Sequence, residues 1–319
     1  MQAAPVILLC WAMAGAACFF SPGGVLVPVA LATLVAVIGL PHGAADHRFA
    51  KPLLEPRWGA AWLPAFLVGY LAIALAVVVG WVVTPVITVV LFFLVSAWHF
   101  GQEEPRLPIG PRWFRSLGRF ARGGLVIWTP LIVHQPQVAD LLATTAPRAF
   151  ESQILLSVTL MAVAAWGLLV AAVAAWGLQS LTALASEGRR RRVLLIDALL
   201  QASLFVLFVV ASPVVGFLVY FCAWHSARGL RRLRRELNES WRQLALSLAP
   251  MTLGAVGLVA FGSFGLARGV TLDETLVRST FVGLSAVAVP HIVLHGLLPV
   301  LRDVRTRRGV DSIALGRPA

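Results

Sequence analysis

Lysine occurs once in the 319 residues, at Lys51, tyrosine twice and cysteine three times. Charged residues make up 13% of the chain, roughly half the share of a water-soluble domain. The cysteines, Cys10, Cys18 and Cys222, sit inside apolar stretches with no CxxC or paired spacing, which excludes a disulfide framework and a thiolate zinc knuckle. Acidic residues are scarce, 14 against 26 basic, leaving a net charge of +12. On a soluble protein that excess would suggest nucleic acid as partner. Here no recognition module is present, and 25 of the 26 cations are arginines in short loops between apolar runs, as topology determinants and anionic-lipid contacts are distributed. The apolar start, residues 1–20, lacks a basic lead-in and a well-placed AxA site, so it reads as a first membrane helix rather than a cleaved signal.

What is present in quantity is apolar chain: 59% hydrophobic residues and a mean hydropathy of +0.85. Runs of membrane-spanning length, read between Pro, Gly and Arg punctuation, predict spans at 3–20, 25–41, 60–80, 83–100, 120–136, 153–180, 193–211, 213–228, 244–266 and 280–300. The tight connections at 21–24 and 212–213 allow a count of eight to ten. The expected fold is an all-α polytopic transmembrane bundle of about ten spans, a single integral membrane domain over 1–319. With the N-terminus inside, 23 Lys and Arg fall on one side and only Arg148, Arg268 and Arg278 on the other. The positive-inside bias then puts both termini in the cytoplasm and the chain, multi-pass, in the plasma (inner) membrane.

Orientation gives the seven histidines depths. His42 and His47 lie at the cytoplasmic end of the second span in GLPHGAADH, His99 ends the fourth in SAWHFGQEE, and His225 ends the eighth in FCAWHSARG. His291 and His295 occupy the inward half of the last span in VPHIVLH; only His134 is at the outer end. Ionisable residues at membrane depth are costly and mark function. Imidazoles without thiolates suit iron, zinc, copper or nickel. Asp46, Glu103, Glu104 and Asp197 share that face and are candidates to hold the rings by their second nitrogens, Asp46 the best of them. His42 and His47, five apart, diverge by about 140° on a helix and are not expected to bind one ion together. Pro41 and Gly43 are expected to end or kink the helix at His42.

At these residues the sequence resembles the Brp/Blh family of membrane β-carotene 15,15′-dioxygenases. Four blocks carry the resemblance in order: PHGAADH at 41–47, SAWHFGQEE at 96–104, FCAWHSAR at 221–228 and VPH at 289–291. It implies an iron(II) centre, O2 as co-substrate, cleavage of a carotenoid drawn from the bilayer at its central double bond to two all-trans-retinals, and a functional link to a rhodopsin. By position, His42 and His99 match the family's ligands and His225 the first histidine of its HSxRH segment. The second histidine of that segment would stand at Gly229. Three protein ligands with open positions still permit O2 chemistry; alternatively His291, which the family pattern also contains, or His295 completes the set, and His47 is a further candidate. Phe92, Phe93, Trp98, Phe100, Tyr220, Phe221 and Trp224 cluster about His99 and His225 and are expected to line a flat slot opening toward lipid. The alternatives are a histidine-box oxygenase of another lipid, disfavoured by the lack of an HxxHH box, and a non-enzymatic metal-binding membrane protein or transporter, disfavoured by an outer half nearly free of polar groups.

Overall fold

The computed structural model describes residues 3–19, 26–103, 111–266 and 271–314, and every regular element among them is helical. The first helix, α1 (Ala4–Phe19), is followed by α2 (Leu26–Leu34), which widens into a π-helical stretch, Val35–Gly39, and closes in one turn, α3 (Leu40–Gly43). After a turn at Ala44 and Ala45 come α4 (Asp46–Trp58), α5 (Trp62–Val83) and α6 (Pro85–Glu103). Then α7 (Arg112–Gly123), α8 (Leu125–Val133) and α9 (Gln135–Thr145) precede the long α10 (Glu151–Leu184) and α11 (Gly188–Val210). A short α12 (Pro213–Leu218) runs into a second π-helical stretch, Val219–Ser226, and on into α13 (Ala227–Glu236); α14 (Trp241–Leu266) and α15 (Leu272–Ala314) complete the chain.

The breaks follow from composition. Pro85 and Pro213 open helices, where a missing N–H costs nothing. Gly59, at φ 50°, stops α4 in a conformation that side chains disfavour.

Six helical stretches are long and apolar enough to cross a membrane: Leu26–Val83, Pro85–Gln102, Arg148–Leu184, Gly188–Val210, Trp241–Gly262 and Leu272–Leu297. Ten are not reached by that measure. The first of the six merges two expected spans, Ala4–Ala17 is shorter, and the expected spans at 120–136 and 213–228 are interrupted at Gly124 and at the second π-helical stretch. The cytoplasmic segments expected as loops at 42–59, 101–122 and 228–243 hold α4, α7 and α13, two of them arginine-rich and strongly one-sided.

Helix α10 shows how these helices suit a membrane protein. Ile154, Val158, Ala165, Leu169 and Ala172 are buried at helical spacing, yet the opposite face carries Leu156, Leu160, Val163 and Val170, each more than 60% exposed. A helix apolar all round needs an apolar solvent. Inside, α15 packs against α2, α5, α6, α9 and α14, and Trp81 of α5 donates to Ser285 Oγ at its centre, 2.8 Å away. Away from α15, Arg122 of α7 donates to the Gln179 side chain of α10, which donates to Asp197 of α11 at 2.6 Å. Cys10 and Cys222 are free and buried; the Cys18 side chain lies outside the described residues.

Candidate metal centre

Four separate elements bring histidines together. His42 stands on the single turn α3, between the π-helical stretch Val35–Gly39 and the turn that starts α4, so the chain does break beside it as Pro41 and Gly43 predict. His225 lies on the other π-helical stretch, His99 in the last turn of α6, and His291 at mid-length on α15 behind Pro290. A π-helical turn inserts one extra residue and re-aims the side chains after it. Close approach depends on glycine at two places. A Cβ at Gly39 would sit 2.6 Å from the Phe221 ring, and one at Gly229 would overlap the His42 imidazole.

The four rings form a compact set. His42 is 5.1 Å from both His225 and His291 between ring centroids, and His99 is 5.3 Å from His225 and 5.2 Å from His291. Ring nitrogens of His42, His99 and His291 all lie within 4.8 Å of one another. An ion bonded to imidazoles at about 2.1 Å sets its ligand atoms roughly 3–4 Å apart, so sub-ångström shifts close the site. His225, 3% exposed, is held edge-on against Phe100 at 4.8 Å and stacked on Phe221 at 6.0 Å.

Behind the rings stands Asp46, 2% exposed. His291 Nδ1 lies 2.9 and 3.0 Å from its two oxygens. As donor to a carboxylate, Nδ1 carries the proton, which leaves Nε2 with the lone pair a metal needs. His295 Nε2 is 3.3 Å from Asp46 Oδ1, and its ring is 4.4 Å from that of His291. The Tyr70 hydroxyl donates to the Val287 carbonyl at 2.8 Å and lies 3.3 Å from Asp46 Oδ2. His99 Nε2 is buried with no hydrogen-bond partner, an atom that an ion would satisfy. Neutral imidazoles, one of them braced by a carboxylate, suit a divalent first-row metal.

His42, His99, His225 and His291 thus meet. His295 joins through Asp46 rather than facing the other rings' nitrogens, and Asp46, His291 and His295 form a second close group. His47 lines the same cavity but is not in the close ring set; its Nδ1 bonds the Ala44 carbonyl at 2.9 Å. His134 sits at the joint between α8 and α9. Asp197 does not serve the rings, contrary to expectation; it pairs with Gln179 and, at 3.8 Å, with Arg122, because sharing a membrane face does not make two residues neighbours. The Glu103 side chain and Glu104 lie outside the described residues. Tyr70 was not anticipated, since only its being one of two tyrosines singled it out.

Above the histidines is a cavity of about 830 Å³, lined by His42, Asp46, His99, His225 and His291 at one end and by apolar side chains of α5, α6, α8, α9, α12, α14 and α15 beyond. That volume is at the upper end of small-molecule sites. Of the expected slot aromatics, Phe92, Phe93, Phe100 and Phe221 line it; Trp98, Tyr220 and Trp224 are not among its lining residues.

A family model described as beta-carotene 15,15'-dioxygenase matches residues 33–299. A beta-carotene 15,15'-dioxygenase from an uncultured marine bacterium, 66A03, is 28% identical over 274 residues, covering 82% of this chain and 90% of the relative. No solved structure matches.

Proposed function

The chain belongs to the beta-carotene 15,15'-dioxygenase family, and we propose that it is an iron-dependent, membrane-embedded carotenoid dioxygenase that cuts β-carotene to two all-trans-retinals. The observation that carries the reading is the three-histidine donor set His42, His99 and His291 at the foot of an apolar cavity, in a chain matched by that family over 33–299. His225 is the fourth ligand of the proposed site. His47 and His295 are outside it.

In the reaction the central C=C bond breaks and each of its carbons takes one oxygen atom of O2, so no other oxidant is consumed. Iron(II) bound by the imidazoles supplies the redox chemistry with O2. The chain's own residues do the rest. Asp46 holds the His291 proton at Nδ1 and keeps Nε2 directed at the site. The single Tyr70 hydroxyl proton is shared between the Val287 carbonyl of α15 and that carboxylate, the nearer carbonyl taking the larger part. The apolar walls take up a polyene from the bilayer, orient it and exclude water. We place the histidine face at the cytoplasm, with both termini there and the protein a single domain in the inner (plasma) membrane, on the strength of the arginine distribution. Retinal made there serves a retinal-binding rhodopsin.

The test is expression in a host that accumulates β-carotene, with retinal read by chromatography and iron measured in the purified protein. Retinal with about one iron per chain is expected. Neither iron nor any cleavage product would overturn the assignment.

A further inference from the structure

The segment that joins His42 to Asp46 is held from outside the metal centre as well as from within it. On α4, Asp46 and Arg48 are two residues apart, which sets them about 200° apart around a helix. Asp46 meets His291, His295 and Tyr70. Arg48 donates instead to Glu239 Oε1 at 3.0 Å, in the turn between α13 and α14, and the two side chains are 26% and 23% exposed. That turn has little freedom of its own. Asn238 takes a left-handed φ of 53°, the Glu239 N–H donates to the Arg234 carbonyl at 3.1 Å, and Ser240 and Gln243 cap α14 reciprocally at 2.8 and 3.2 Å. Ser247 donates to Glu239 Oε2 at 3.4 Å. Beside the pair, Ala45, Leu233, Leu244 and Leu248 form a small core of their own, separate from the main one.

These contacts tie the segment 42–48 to α13, which follows directly on the stretch that carries His225 and whose Gly229 lies against the His42 ring. Resting on the metal-centre reading above, we propose that Arg48 and Glu239 are positioning residues of that centre: their ion pair locks the first turn of α4 to the α13–α14 turn. It thereby fixes Asp46 behind His291 and sets the spacing of His42 from His225. Neither side chain belongs to the groups of close donor atoms. The pair acts through backbone, by way of α4 to Asp46 on one side and by way of α13 to Gly229 and His225 on the other. Metal affinity is where such a clamp shows, because having to order a loose carboxylate and loose rings opposes binding.

The clamp is tested on the full-length chain by iron(II) affinity, in competition with a chelator, and by the absorption of cobalt(II) bound in place of iron. Glu239→Ala and Arg48→Met are each expected to weaken iron binding several-fold and to change the cobalt spectrum; either keeps the test open should the other not fold. Glu239→Gln retains an oxygen for the Arg48 bond and is expected to recover most of the affinity. Arg48→Met combined with Glu239→Ala is expected to bind no more weakly than the single variants, since all three remove one and the same interaction. Lys51→Ala breaks the exposed pair to Glu55 on the same helix, 3.6 Å apart, and is expected to leave affinity and spectrum unchanged. Losses that add in the double variant, an equal loss in Lys51→Ala, or a lowered unfolding midpoint with wild-type affinity and spectrum would overturn the clamp and leave the metal centre standing. A wild-type chain that binds neither metal would instead remove the centre on which the clamp rests.

Discussion

Two buried polar clusters lie in this apolar bundle, and they are built on opposite principles. Arg122, Gln179 and Asp197 join α7, α10 and α11 by hydrogen bonds and opposite charge, each group answering another within the cluster. The histidine cluster joins α3, α6, the second π-helical stretch and α15 chiefly by ring contacts, with Asp46 bonded to His291 and His295 beside them. Its rings meet edge to face, and His99 Nε2 is buried with no hydrogen-bond partner. Buried polar groups are normally paired because leaving one unmade costs about 1–3 kcal/mol. The first cluster is held by its own hydrogen bonds and charges; the second turns a buried, unbonded ring nitrogen toward its neighbouring imidazoles.

Removing a member should therefore have different consequences in the two. His99→Ala is expected to abolish both bound iron and product, whereas His134→Ala leaves both intact; iron content of the purified proteins and retinal yield decide it, and equal loss in the two would dissolve the distinction. Asp197→Ala removes the carboxylate that Gln179 and the buried Arg122 side chain, 0% exposed, both face. Breaking a buried pair in this way costs about 3–5 kcal/mol. A lowered unfolding midpoint in detergent with unchanged iron per folded chain is the expected result. Iron lost in proportion to a correctly folded Asp197→Ala protein would mean that the two clusters are one.

Asp46 is where the two principles meet, being a buried carboxylate that serves the open cluster. Asp46→Asn replaces an acceptor-only group by one whose amide donates, so the His291 proton can move to Nε2 and block the ligand atom. Loss of such a supporting partner typically lowers metal affinity about 10–100-fold. Competition against a chelator of known strength measures it, and an iron affinity equal to the wild type would remove Asp46 from the site. Gly229→Ala presses on the cluster from the opposite side, because the added Cβ overlaps the His42 ring. A displaced imidazole, seen as an altered spectrum of bound metal with the fold retained, is the expected outcome.

Much of this was legible in the sequence, and the exceptions have physical causes. Apolar runs with arginine at their ends revealed helices, because these depend on local composition. Read as spans, the same runs put six of seven histidines toward one end of the expected bundle, and PHGAADH carried Asp46 beside His42. What escaped depends on packing. A π-helical turn such as Val35–Gly39 or Val219–Ser226 has no residue signature from which it could be read. Tyr70 is 24 residues from Asp46 and meets it only when α4 and α5 fold together. At Gly229 the sequence reads as a missing imidazole; in three dimensions the position is the space that the His42 ring occupies.

The smallest expected effect is also the sharpest test of which histidine in PHGAADH belongs to the cluster. His47 is five residues from His42 and one from Asp46, so sequence proximity alone would include it. Its Nδ1 is engaged by the Ala44 carbonyl at 2.9 Å, which ties the ring to its own turn, outside the close group of His42, His99 and His291. His47→Ala should cost only that bond, about 0.5–1.5 kcal/mol, and leave iron stoichiometry and product lengths as in the wild type. His42→Ala should instead lose the metal. If His47→Ala also lost it, the turn at Ala44 would have to open in the loaded protein and bring His47 inward, and the ligand set would have to be redrawn around both ends of that segment.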